Sequence, residues 1–132
     1  MSNSFSWPIR VYYEDTDAGG VVFYANYLKF FERSRTEFLR NVGFEQDILR
    51  QQFNILFVVK SVNIDYLKPA YFNDLIQVSA DIVEQTKTSL IFKQTVMRDH
   101  DILNHGQIRI ACVDAQSFKP KPIPTVILEK IT

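Results

Sequence analysis

Apolar and polar positions alternate most cleanly in "DLIQVSADIVE", where Ile76, Val78, Ala80 and Ile82 fall on one side of an extended chain and Gln77, Ser79 and Asp81 on the other. The same period of two predicts a first strand in "IRVYYED", with Ile9, Val11 and Tyr13 facing one way, and a later one with Val62, Ile64 and Tyr66 set against Ser61, Asn63 and Asp65. "LIFKQTVMR" and "QIRIACVDAQSF" read as two further strands about a tight turn at "DHD", with Gly106 placed for a bulge. Between the first strand and the rest the period lengthens. Tyr24, Leu28, Phe31, Phe38, Leu39 and Val42 repeat at helical spacing, which predicts a helix from Ala25 to Val42, roughly 27 Å long, closed by Gly43. "FEQDILRQQF" adds a short helical turn, and the three prolines of "KPKPIP" exclude continuation of a sheet.

One strand, one long helix and about four strands joined by short turns describe an α+β chain. Its antiparallel sheet has one face covered by the helix. At 132 residues the chain is one domain, 1–132, without an internal repeat or linker. The other sheet face needs a cover, and 11 Phe with 6 Tyr exceed what a small core absorbs.

Charge narrows the partners. Fifteen basic residues balance fifteen acidic ones, which gives no electrostatic basis for binding nucleic acid phosphates. A single cysteine excludes an internal disulfide and suits a reducing compartment, so a cytoplasmic location is expected. The chain start has no signal-peptide pattern, and no apolar run reaches the ~20 residues of a transmembrane helix.

The usual catalytic arrangements are missing. There is no G-x-S-x-G, no metal-ligand spacing and no nucleotide-binding glycine loop, and His100 and His105 read as solvated turn residues. Cys112 shares a strand face with Ile108 and Ile110 and reads as a buried packing residue. What remains is "YYEDTDAGGVVFYANY", where Asp15 and Asp17 lie between a strand end and a helix start, with Gly19 and Gly20 in the same loop. A helix start presents unpaired amides that stabilise an oxyanion, while an Asp before a helix is equally at home as a turn or capping residue.

The run "VYYEDTDAGGVVFYANYLKFFERSRTEFLR" resembles the signature of the hotdog-fold acyl-CoA thioesterases of the 4-hydroxybenzoyl-CoA thioesterase family, in particular the Tol-Pal-associated branch. "FVVKSVNIDYLKPA", "TSLIF" and "ACVDAQSFKPKPIP" extend the likeness along the chain. The resemblance implies a curved antiparallel sheet of about five strands wrapped around one long helix. It implies hydrolysis of acyl-CoA to free acid and coenzyme A, with Asp17 as base or nucleophile and the amide of Tyr24 polarising the thioester oxygen. It also implies that Gly19 and Gly20 make room for the acyl group. Many members of the branch carry His where this chain has Tyr24, so that histidine's role does not transfer.

No cofactor is implied beyond the coenzyme A of the substrate, whose phosphates would meet Lys87, Thr88 and Ser89, with Val59 and Lys60 as further contacts and Lys119 and Lys121 as less direct ones. Glu32 and Glu37, helix-borne acids like those of another hotdog branch, read as solvated pairs beside their basic neighbours. Acyl carrier protein is an alternative thioester carrier, and the family forms homodimers or homotetramers with shared active sites. Two other readings compete: a hotdog dehydratase or isomerase, which ordinarily needs a histidine near the loop, and a weakly catalytic scaffold of the cell envelope Tol-Pal system.

Overall fold

The computed structural model describes residues 5–131. Five strands, β1 (Phe5–Arg10), β2 (Ile55–Tyr66), β3 (Leu75–Gln85), β4 (Ser89–Arg98) and β5 (Asp101–Asp114), form one antiparallel sheet in the order β1-β3-β4-β5-β2. Helix α1 (Tyr27–Asn41) packs on it, α2 (Gln46–Phe53) follows, and α3 (Thr125–Ile131) closes the described chain. This is the hotdog arrangement, a sheet curved about one helix. Among the described residues neither β1 nor β2 has a second neighbour, and Pro8, which lacks an amide donor, is tolerated because β1 lies at an edge.

The alternation in β3 holds: Ile76, Val78 and Ala80 are fully buried, and Ile82 is half-buried. Opposite them α1 presents Tyr27, Phe30, Phe31, Ser34, Arg35 and Leu39. The buried stripe is therefore rotated from the expected one. Tyr24 and Leu28 are exposed, while polar Ser34 and Arg35 face inward because the sheet supplies their partners. Ser34 Oγ donates to the Val78 carbonyl at 2.7 Å, and Arg35 Nη1 donates to Gln94 Oε1 at 2.9 Å. Gln94 in turn donates to the carbonyls of Phe31 and Ser79, so helix and sheet are joined by a buried polar network as well as by rings.

Three further expectations are corrected. The first strand ends at Arg10, and Tyr13 is exposed, because Asp15 Oδ2 accepts the Tyr12 amide at 2.8 Å and bends the chain into a 3-10 turn at Tyr13–Asp15. Gly106 is not a bulge. It sits in continuous register between Ile64 and Gln94, where an added Cβ would lie 2.9 Å from Ile64 Cγ1 and 3.0 Å from the Asn63 carbonyl oxygen. The last strand begins at Asp101 rather than Gln107, so His105 belongs to β5. The short helix α3 has no counterpart in the sequence reading.

Candidate active site

The acid loop is a small hairpin. Thr16 faces Val22, the Asp17 amide donates to the Val21 carbonyl at 2.9 Å, and the Phe23 amide donates to the Asp15 carbonyl at 3.0 Å. At its tip the Gly20 amide returns to the Asp17 carbonyl at 3.0 Å, with Gly20 at φ +81°, a conformation open to glycine and strained for most other residues. The hairpin is fastened to the body of the fold by Val22, whose amide donates to the Ala70 carbonyl at 2.9 Å.

Two acids that look alike in sequence do different work here. Asp15 is buried, its carboxylate holding the Tyr12 amide and its carbonyl accepting both the Phe23 amide and Asn26 Nδ2. Asp17 is exposed, with Oδ1 accepting the Gly19 amide at 2.8 Å and Oδ2 unpartnered among the described residues. Asp17 therefore has a carboxylate oxygen open to an incoming group. Gly19 is held close to it, since an added Cβ would lie 3.2 Å from Asp17 Oδ1.

The hairpin leads directly into a 3-10 turn at Tyr24–Asn26, which runs on into α1. As the first residue of that turn, Tyr24 has an amide with no acceptor among the described residues. Its carbonyl accepts the Tyr66 hydroxyl at 3.2 Å, and its ring meets Tyr66 edge-on at 6.2 Å. Tyr27 leans on Tyr66 at 5.7 Å and accepts the Ala70 amide at its hydroxyl. Burial holds both the Tyr27 and the Tyr66 hydroxyl above the ordinary tyrosine range, so both stay protonated. These rings, with Val22, Leu67 and Pro69, line an open hollow of about 250 Å³.

Asp17, Gly19, Gly20 and Tyr24 thus share one loop and the helix start that follows it. The proposed coenzyme contacts do not join them within the chain. Tyr66, beside Tyr24, pairs with Asn104, whereas Ser89 pairs with Ala111 and Val59 with Ile110. Seven positions along β5 at about 3.3 Å each separate the two ends by roughly 23 Å. Lys60 is exposed at the irregularity in β2, and Lys87 is exposed in the β3–β4 turn. Thr88 spends its amide on Thr86 Oγ1 and its carbonyl on the Cys112 amide, and Ser89 is buried with its hydroxyl 2.7 Å from Thr86 Oγ1. The Ser89 side chain serves the turn. Lys121 is likewise engaged, donating to the Phe53 carbonyl at 3.0 Å.

Sequence reasoning did not single out Tyr66, Tyr27 or Asn104. Asn104 is fully buried on the rung opposite Tyr66, and neither end of its amide meets a partner among the described residues. Register is what brings these residues together, and register was not readable in advance. Cys112 is buried as expected, and burial pushes its thiol up to about 11, far from a thiolate nucleophile. Among the described residues no group of three or more His, Cys, Asp or Glu side chains is placed to hold a metal ion, and no helix is long and apolar enough to cross a membrane.

Residues 19–104 match the thioesterase superfamily. The chain is 45% identical to the acyl-CoA thioesterase YbgC of Haemophilus influenzae, over 94% of this chain and 91% of that protein. It is 41% identical to the acyl-CoA thioester hydrolase YbgC of Escherichia coli O157:H7, over 94% and 92%. Among solved structures, a probable thioesterase from Bartonella henselae superposes with a TM-score of 0.89 at 31% identity, covering 92% of this chain and 100% of that one. Sheet order, helix placement and near-full-length likeness lead to the same assignment: the chain belongs to the thioesterase superfamily.

Proposed function

We propose that this enzyme hydrolyses acyl-CoA thioesters, with Asp17 as general base or nucleophile and the Tyr24 amide as an oxyanion donor. The observation that carries this reading is that the short hairpin holding an exposed carboxylate leads directly into a helix start whose first amide has no acceptor among the described residues. With water as the attacking group, its oxygen bonds to the thioester carbon as its proton passes to Asp17, and charge gathers on the carbonyl oxygen against the Tyr24 N–H. The C–S bond then breaks and the sulfur leaves with the electron pair. A thiol has a pKa of about 8.5, so the thiolate departs without the protonation an amine would need. This explains why one carboxylate and one amide suffice. The names of the YbgC relatives support an acyl-CoA substrate.

The assembly belongs to the same proposal. Among the described residues strand β2 leaves one edge without a neighbour and exposes Val59, Val62 and Tyr66, with Leu67 just beyond. Antiparallel pairing of this edge with its own copy satisfies those backbone groups under two-fold symmetry. A homodimer or homotetramer with shared active sites, acting in the cytoplasm in association with the Tol-Pal system, is the reading we favour. Acyl carrier protein is the second thioester carrier to test.

Release of free thiol from short aliphatic, long aliphatic and aromatic acyl-CoAs tests the activity directly. Turnover of at least one class is expected. Silence across the panel from folded protein, together with capture of a defined envelope partner, would replace the enzyme by a scaffold.

A further inference from the structure

Arg35 is only 8% exposed, and no carboxylate lies within ion-pair distance of it among the described residues. A guanidinium carries five N–H donors, and among the described residues a single bond, Nη1 to the neutral amide oxygen of Gln94, is made. Buried charges are ordinarily paired, since an unpaired ion loses its hydration without recompense. Burial accordingly pulls the Arg35 pKa below its ordinary value, against the opposing influence of Glu32.

The side chain lines a second hollow, of about 50 Å³, between α1, the start of α2 and the inner side of β2, β4 and β5. Its walls include the apolar Leu39, Phe57, Phe92 and Ile110 and the polar Gln46. Glu32, one turn before Arg35 on α1, stands at the same hollow, is itself exposed, and makes no ion pair with Arg35. The hollow lies at the Val59–Ile110 end of the sheet, away from Asp17.

We infer that this hollow is an anion site that takes a small carboxylate, with Arg35 as its cationic anchor. The ligand class follows from charge and size. A planar guanidinium matches a carboxylate through two parallel N–H···O bonds. A volume of about 50 Å³ holds on the order of three to five water-sized groups. A carboxylate with one or two carbons fits that space, and the apolar walls suit its methyl or methylene end. The tetrahedral anions sulfate and phosphate bring five heavy atoms and charge on every side, which the apolar Leu39, Phe57, Phe92 and Ile110 oppose. An occupant would tie α1, the helix that begins beside Tyr24, to the edge strand β2. The inference does not depend on the proposed hydrolysis, because none of its residues belongs to the acid loop.

The test is a titration of the ¹⁵N-labelled intact protein with sodium acetate, followed at the Arg35 Nε–H resonance. Acetamide serves as the neutral isostere, and sodium sulfate is run at matched ionic strength. A saturable shift with acetate alone is expected. Glu32→Gln removes the competing negative charge and tightens the acetate Kd by roughly 2- to 5-fold. Arg35→Gln weakens it at least ~10-fold. If Arg35→Gln does not fold, the wild-type and Glu32→Gln titrations decide the matter. No saturable shift, the same shift with all three solutes, or an acetate Kd indifferent to Glu32→Gln would overturn the inference.

Discussion

The Gly19 amide donates to Asp17 Oδ1 at 2.8 Å, leaving Oδ2 without a partner among the described residues. One oxygen therefore fixes the carboxylate in the loop while the other remains available to a substrate or a water. In the proposed mechanism position 19 is therefore as much a part of the catalytic geometry as position 17. Gly19→Ala places a methyl group 3.2 Å from Asp17 Oδ1 on an exposed loop. We expect kcat to fall on the order of 10-fold through a displaced carboxylate, with Tm nearly unchanged. Equal kcat in the variant would mean that the Asp17 position tolerates this displacement.

Gly106 addresses the core instead of the chemistry. A Cβ there meets Ile64, the Asn63 backbone oxygen and, at 3.4 Å, Phe31, so neither sheet nor helix yields easily. Gly106→Ala is expected to destabilise the fold by about 1–3 kcal/mol, as overpacking does elsewhere. Chemical denaturation of both proteins measures this, and an unchanged midpoint would contradict the close approach.

These two glycines also mark what the sequence disclosed. The pleat of β3 was plain because Ile76, Val78 and Ala80 alternate without a competing signal, and the acid loop stood out through its resemblance to the thioesterase signature, since an acid before a helix is by itself ordinary turn chemistry. The first strand misled because Tyr13 keeps the alternation after the Asp15 carboxylate has already turned the backbone. The helix stripe misled because Ser34 and Arg35 count as polar in any periodicity, yet are buried against partners 44 and 59 residues away. The same non-local pairing explains the site. Asp15 and Asp17 differ through burial and hydrogen bonds that the sequence does not show, and the distance between Tyr24 and the Lys87–Ser89 turn became readable only once the β5 register was known.

Asp114 supplies a pH signature of the fold. The amides of Ser117 and Gln116, followed by the Ser117 hydroxyl and Lys121, hold its carboxyl below the ordinary value of 3.8. A carboxyl depressed on folding contributes stability that is present above its unfolded value and lost as pH falls through the lower folded one. Asp114→Asn should therefore lower Tm at neutral pH, with the deficit shrinking as the pH drops below about 3.8. A deficit constant across that window would assign it to packing.

Cys112 separates this enzyme from a cysteine hydrolase. With its thiol buried and raised to about 11, it should resist iodoacetamide in native protein and react after unfolding. Thiol release from acyl-CoA should survive the native treatment. Rapid native labelling with parallel loss of activity would implicate sulfur in the reaction.

The central claim is that the charge on Asp17 drives thioester cleavage, and Asp17→Asn tests it most directly. The amide keeps an oxygen to accept the Gly19 N–H, so the loop geometry is retained while charge and basicity are removed. Thiol release from the best acyl-CoA, measured alongside Tm, should show at least a ~10²-fold loss of kcat at unchanged Tm. Near-wild-type turnover by the folded variant would contradict the account.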